Sequence, residues 1–329
     1  MEALLSGILF GAALAAGGLA SPAVVDSQMA LKDWYLIQCL LSATILTAVV
    51  YALLDLFDLV KLQPRSSSPL GAMATYGGNM LGGALLGAGM ATSSSGPEIL
   101  LAQAGCGIHQ ALYVLAGAVT GGILWTGFLA DLTKRIGGTG AGRPKTVTLS
   151  QYLGIPRNVV LLIVGGLWIM AGIYLPDSDL GAQGGLSTVL VGASLIGLSQ
   201  TFSMLSRRAL IGISGSYEEA GMHFWWIVGG AQPTKKPRSQ NNLIFAAGLL
   251  LGAACTAQLA PSLVHVAKGG EVSKTRAAIG GALMTIGSRM AGGCTAGHGL
   301  SGLALLSTSS LITMTFAFAT GPLVKYLIG

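Results

Sequence analysis

The sequence predicts an all-α polytopic membrane protein: about nine transmembrane helices in two inverted repeats, with short re-entrant helix–loop segments meeting near the membrane centre. Three observations carry this expectation: a shortage of charge, a succession of apolar stretches of spanning length, and a glycine-rich segment that occurs twice.

Of 329 residues, 52% are hydrophobic and 9% charged, against about 25% charged in an ordinary soluble domain. Such an inventory cannot build a water-facing surface. The 50 glycines, with abundant alanine and serine, suit helices that approach closely in lipid, where small residues set the packing. The formal charge of +6 comes from Lys and Arg residues in short gaps between apolar runs. No aromatic-interleaved basic patch accompanies them, which argues against nucleic acid and leaves membrane lipid as the surrounding partner. Cys39, Cys106, Cys255 and Cys294 stand singly, without the spacing of a metal site or a disulfide framework. No cofactor or metal is expected, and any cysteine chemistry involves one thiol at a time. Cys39 and Cys255, inside apolar spans, are expected in the core, since a free cysteine packs as a small hydrophobe.

Crossing the hydrocarbon takes roughly 20 mostly apolar residues. Leu4–Ala20, Trp34–Leu54, Gly71–Ala91, Ile108–Leu129, Val159–Leu175, Leu186–Leu205, Leu243–Leu259, the shorter Ala277–Ala291, and Leu303–Leu327 meet or approach that requirement. Trp34, Tyr35, Trp125, Tyr174, Trp225, Trp226 and Tyr326 lie near span ends, as interfacial belts do, whereas Trp168 is mid-span and reads as packing. The polar stretches Asp131–Arg157 and Gln232–Asn242 are the expected solvent loops. If nine spans alternate, the gaps after the second, fourth and sixth share one side and hold Lys61, Arg65, Lys134, Arg135, Arg143, Lys145, Arg157, Arg207, Arg208, Lys235, Lys236 and Arg238. The positive-inside rule then puts the N-terminus in the cytoplasm, with the plasma membrane as the expected location; Lys268, Lys274 and Arg276 crowd the opposite side. The apolar N-terminus lacks a basic leader and reads as a first span.

The repeat lays GGALLGAGMATSSSGP, from Gly82, over GGALMTIGSRMAGGCT, from Gly280, without gaps. LFGAAL at Leu9 echoes LVGASL at Leu190 more weakly. Each pairing displaces a span by five positions. An odd displacement inverts the halves: residues 1–130 form the first half, 131–185 a connecting loop and fifth span, and 186–329 the second half. Inverted repeats around a midplane site are a transporter signature.

Polar breaks follow the first, third, sixth and eighth spans, each with a helix-start signal. Ser21-Pro22 offers an N-cap followed by proline at the first helical position, with Asp26 beyond. Gly96-Pro97-Glu98 places an acid in a first turn, and Ser216 to Glu219 has capping-box spacing. Gly293-Cys294-Thr295 precedes the small-residue turn Ala296–Gly302. Irregular backbone at membrane depth must be buried in protein or line a polar path. Exposed N–H groups at helix starts there suit an anion without any cationic side chain. The candidate path comprises Ser21, Ser93, Ser94, Ser95 and Gly96 from the first half, and Ser214, Gly215, Ser216, Arg289, Gly293, Cys294, Thr295 and His298 from the second. Arg289, within the eighth span, is a functional candidate or snorkels from a short helix. His298, four residues after Cys294, shares its face if that turn is helical; it binds substrate or is a hydrogen-bonded structural residue.

RMAGGCTAGHGLSG, at Arg289–Gly302, and GISGSYEEAG, at Gly212–Gly221, resemble the YeeE/YedE sulfur-transport family, as does the GGALLGAGM run. The resemblance implies uptake of a small inorganic sulfur anion, thiosulfate above all, through a constriction of inward-dipping loops in which cysteine thiols pass the anion along. Cys294 matches the second-half cysteine of that pattern. Gly96, and Ser21 in the N-terminal loop, stand where relatives carry others, so hydroxyls would have to supply those hydrogen bonds. No general-base triad or cofactor motif appears, and transport rather than catalysis is expected. A channel for a small neutral polar solute and a membrane sulfur carrier with a persulfide on Cys294 are the competing readings. The sequence leaves the oligomeric state open.

Overall fold

The computed structural model describes residues 1–68, 75–137, 147–174, 185–230, 237, 239–264, 266 and 272–329, with side chains for all but 167–174 and 185–187. The start of the third span at Gly71, much of the two solvent loops, Arg143, Lys145, Lys235, Lys236, Arg238, Lys268 and the side chains of Trp168 and Tyr174 lie outside the described residues. The described chain is helical throughout: α1 (Glu2–Ala16), α2 (Pro22–Met29), α3 (Tyr35–Leu56), α4 (Gly77–Ser93), α5 (Ile99–Gly105), α6 (His109–Leu124), α7 (Ala130–Gly137), α8 (Leu149–Leu153), α9 (Arg157–Tyr174), α10 (Gly185–Arg207), α11 (Ser214–Val228), α12 (Asn241–Leu259), α13 (Lys274–Ala291) and α14 (Thr308–Ile328). A π-helical stretch, Trp125–Leu129, joins α6 to α7, and another, Ala296–Gly302, follows α13.

Five described helices are long and apolar enough to cross a membrane: Tyr35–Leu56, His109–Arg135, Thr188–Arg207, Asn241–Leu259 and Thr308–Ile328. Glu2–Ala16 and Arg157–Gly166 are shorter apolar helices. The remaining expected spans, α4 and α13, sit against each other at the centre. Other helices cover one side of each, where Asn79, Thr285 and Ser288 are buried, while Met80, Leu81 and Ile279 are exposed.

The repeated glycines make the α4–α13 crossing. A Cβ at Gly82 would lie 2.7 Å from the Gly287 carbonyl oxygen, and one at Gly89 2.7 Å from that of Gly280. In return, a Cβ at Gly287 would lie 2.6 Å from the Gly82 oxygen and one at Gly280 2.9 Å from that of Gly89. Gly82 corresponds to Gly280 in the repeat and Gly89 to Gly287, so each glycine meets the counterpart of the other, as in a self-complementary two-fold interface. The wider packing is matched in the same way when α1, α2, α3, α4, α5 and α6 are exchanged for α10, α11, α12, α13, Ala296–Gly302 and α14. Thus α1 on α12 matches α10 on α3, α4 on α14 matches α13 on α6, and α5 on α12 matches Ala296–Gly302 on α3.

Several expectations are corrected. Tyr35 is no interfacial anchor: its ring is buried and its hydroxyl donates to the Gly17 carbonyl at 2.6 Å. Trp125 is buried as well, and Trp225 donates from Nε1 to Ile123 O at 2.9 Å. Cys39 is buried as expected, but Cys255 is exposed on the outer face of α12. The first helix ends at Ala16 rather than Ala20, and α13 begins three residues earlier than expected, capped by the Ser273 hydroxyl, which accepts from Arg276 N.

Candidate functional site

Both repeat halves leave their glycine helix in the same way. α4 is capped by Ser94, with φ 51°, and α13 by Gly292, with φ 85°; the two occupy the same place in the repeat, and both are left-handed. The left-handed residue turns the chain out of the helix axis. In each half a new helical turn starts a few residues later, α5 with Glu98 as its N-cap and Ala296–Gly302 with Thr295 as its N-cap. These two N-cap residues touch: the Thr295 hydroxyl donates to Glu98 Oε1 at 2.6 Å. A third helix start joins them, because Ile213, the N-cap of α11, donates its N–H to Cys294 Sγ at 3.5 Å. Tyr217, one turn into α11, donates from its hydroxyl to Pro97 O at 2.6 Å. Cys294, Thr295, Glu98 and Tyr217 are all buried.

Arg65 closes the second-half break from outside. It lies between α3 and α4 and donates from Nε to Gly297 O at 2.6 Å and from Nη1 to Gly292 O at 2.8 Å. Glycines let it sit close: a Cβ at Gly293 would lie 2.9 Å from Arg65 Nη1, and one at Gly297 2.8 Å from Nη2, so a side chain at either place would shift the guanidinium. Nearby, Asn79 donates from Nδ2 to Ala291 O at 3.0 Å and to Thr313 Oγ1 at 2.9 Å, and its Oδ1 accepts from Ser68 N at 2.7 Å.

The remaining predicted residues divide between the centre and its supports. The three serine hydroxyls at the end of α4 are committed: Ser93 to Gly89 O at 2.7 Å, Ser94 to Asp26 Oδ1 at 2.7 Å and Ser95 to Gln103 Oε1 at 2.7 Å. Asp26 also receives Lys325 Nζ at 2.7 Å, which ties α2, α4 and α14 together. Gly96 has no left-handed φ, and a Cβ there would lie 3.4 Å from Ile99 Cδ1, an ordinary contact. Ser21 is buried at the start of α2, with Pro22 at the predicted first position. Ser214 and Ser216 are buried in the first turn of α11, and a Cβ at Gly215 would lie 2.7 Å from Asn242 Nδ2.

The capping box predicted for Ser216 and Glu219 does not form. α11 begins earlier, at Ser214, so the Ser216 hydroxyl donates to Ile213 O at 2.7 Å. Glu219 instead accepts from Asn242 Nδ2 at 2.7 Å and Leu243 N at 3.0 Å, holding the start of α12. Arg289, in the last turn of α13, forms an ion pair with Glu218. His298 turns towards Ser310 Oγ, 2.8 Å from Nδ1, and Ala291 O, 3.2 Å from Nε2. With both ring nitrogens engaged and the side chain buried, it braces the break against α14.

Sequence reasoning missed Arg65, Asn79 and Tyr217, and it read Glu98 as a first-turn acid rather than a central carboxyl. Only Glu98 carried a signal, a lone acid beside a proline at a break. Among the described residues, no group of three or more His, Cys, Asp or Glu side chains could hold a metal ion. Around the centre the Thr295 and Tyr217 hydroxyls are given to Glu98 Oε1 and Pro97 O and the Ile213 N–H to Cys294 Sγ, all enclosed by helix starts.

The Sulphur transport family matches residues 16–323 of this chain. The chain is 26% identical over 330 residues to the thiosulfate transporter TsuA of Spirochaeta thermophila, covering 95% of this chain and 94% of that protein. It is 30% identical over 146 residues to a probable transporter of Xylella fastidiosa, covering 43% of this chain and 93% of that protein. With helices of spanning length and a family match over nearly all of its sequence, the chain belongs to the Sulphur transport family, as an integral membrane protein that transports sulfur compounds.

Proposed function

We propose that the protein carries thiosulfate, or a sulfur anion of similar size, through a constriction between the first-half break at Ser93–Glu98 and the second-half break at Gly293–Thr295. The observation that carries this reading is the convergence of the Glu98, Thr295 and Ile213 helix starts around Cys294. Helix starts present peptide N–H groups and the positive end of the backbone dipole, which favour an anion. The Cys294 thiol adds a weak, polarisable donor suited to a terminal sulfur. The name of the Spirochaeta thermophila relative gives thiosulfate priority among the sulfur anions.

The reciprocal glycine crossing and the matched helix pairs support two halves, 1–130 and 186–329, inverted about a two-fold axis through the α4–α13 contact, with 131–185 as connector. In that arrangement the two breaks enter from opposite faces and meet at mid-depth. The basic gaps after α3 and α10 then face the cytoplasm together with the N-terminus, and the plasma membrane is the proposed location. Uptake of labelled thiosulfate, sulfite and sulfate into proteoliposomes, with and without a proton or sodium gradient, tests the function. Thiosulfate accumulation above protein-free vesicles is expected; uptake of neutral solutes with no response to any sulfur anion overturns it.

A further inference from the structure

We infer that Glu98 carries its proton and serves as the first half's hydrogen-bond donor to the passing anion, opposite the Cys294 thiol of the second half. This rests on the transport reading above and extends it to a residue that the repeat does not mark.

The repeat places Gly96 where the second half has Cys294, so the first half has no side chain at that position. Two residues on, Glu98 reaches the same point from the other side. Only 4% of its surface is exposed, its Oε1 accepts the Thr295 hydroxyl, and its Oε2 is buried with no hydrogen-bond partner. The peptide N–H groups of Glu98 and Ala296 and the Cys294 thiol lie near the carboxyl, yet none closes a hydrogen bond on Oε2. Two titratable groups face it, Cys294 and Tyr217, and both are acids whose ionisation would repel a carboxylate. The Tyr217 proton is already given to Pro97 O. Glu98 has no ion pair among the described residues, and the Nε and Nη1 donors of Arg65 go to backbone carbonyls.

Among the described residues no cation faces the carboxyl to balance a negative charge. Burying it unpaired costs far more than retaining a proton, and a negative charge in the constriction would oppose an anion. The neutral acid resolves both difficulties: Oε1 remains the acceptor for Thr295, and Oε2 becomes an O–H donor with no internal acceptor. A cavity of about 30 Å³ lies beside it, walled by Phe10, Leu14, Leu36, Ile196 and Leu300, among others, with Glu98 as its one polar side chain. An O–H donor to an oxyanion makes a short, charge-assisted hydrogen bond.

The test uses wild type, Glu98→Gln and Glu98→Leu in proteoliposomes, with two readouts. The first is infrared difference spectroscopy on exchange into heavy water, which detects a protonated carboxyl without any transport. A carbonyl band of a protonated acid is expected in wild type and absent from both variants. The second is the initial rate of labelled thiosulfate uptake against pH. Glu98→Leu, which has no donor, is expected to lose at least tenfold, equivalent to about 1.4 kcal/mol. Glu98→Gln keeps an N–H donor and is expected to stay within a few-fold of wild type, without the decline that wild type shows when high pH ionises the acid. Absence of the band, or a folded Glu98→Leu protein at wild-type rates, overturns the proposal. If wild type shows the band but moves no sulfur anion, the transport reading fails and the donor role fails with it; if wild type transports but lacks the band, only the role of Glu98 fails.

Discussion

In the first half the chain leaves α4 through left-handed Ser94 and reaches the centre with a carboxyl, Glu98; in the second it leaves α13 through left-handed Gly292 and arrives with a thiol and a hydroxyl, Cys294 and Thr295. The backbone plan is shared and the chemistry is not. The supports differ too. Ser94, Asp26 and Lys325 secure the first break by side-chain contacts among three helices, whereas Arg65 secures the second by gripping two backbone carbonyls. The pair teaches that close packing constrains the crossing helices to matching glycines, while the turns after them, free of that constraint, can carry different donors.

The largest effect is expected at the shared part. Gly287→Leu forces a side chain against the α4 backbone, where overpacking costs about 1–3 kcal/mol or more. Loss of monodisperse protein in size-exclusion chromatography is expected, whereas Gly165→Leu on α9, with open space around its Cβ position, should purify normally. Equal behaviour of the two variants would break the argument that the repeat exists for packing.

Next comes the grip on the second break. Arg65→Gln strands the Gly297 carbonyl, at about 1–3 kcal/mol for a buried acceptor left unsatisfied, while the Gly292 carbonyl, at an exposed residue, can turn to water. A lower melting temperature in detergent and a several-fold fall in uptake are expected. An unchanged melting temperature would show that the break holds without Arg65.

The smallest effect sharpens the difference between the halves. Gly96 lies outside the left-handed region and its Cβ position is in ordinary contact with Ile99, so Gly96→Cys should fold. It places a second thiol opposite the first. Since one added neutral hydrogen bond is worth about 1 kcal/mol, thiosulfate uptake should rise by less than tenfold; a fall in a folded variant would mean that the first break works only without a side chain at Gly96.

The helices were legible because spanning length and apolar composition are local properties, and the glycine repeat because it is written twice, whereas the crossing of its two copies depends on tertiary packing. Helix ends shifted where tertiary contacts prevail: Tyr35 and Trp125 sit at span ends by sequence, yet neighbouring helices cover them. Cys294 could be found from its place among small residues. Arg65 could not, because it acts 232 residues along the chain from Gly297 and looks in sequence like any basic loop residue. Glu98 was visible as an acid beside Pro97, but its meeting with Thr295 depends on how the halves fold together.

Cys294 gives the most direct test of the central claim that the two breaks form the anion path. Cys294→Ala removes one small group, so a folded protein with nearly unchanged chromatography and melting temperature is expected. Its initial rate of labelled thiosulfate uptake in proteoliposomes should fall close to that of protein-free vesicles, while Cys294→Ser, which still donates through a shorter and harder hydroxyl, should keep part of the rate. Wild-type uptake by folded Cys294→Ala would contradict the account.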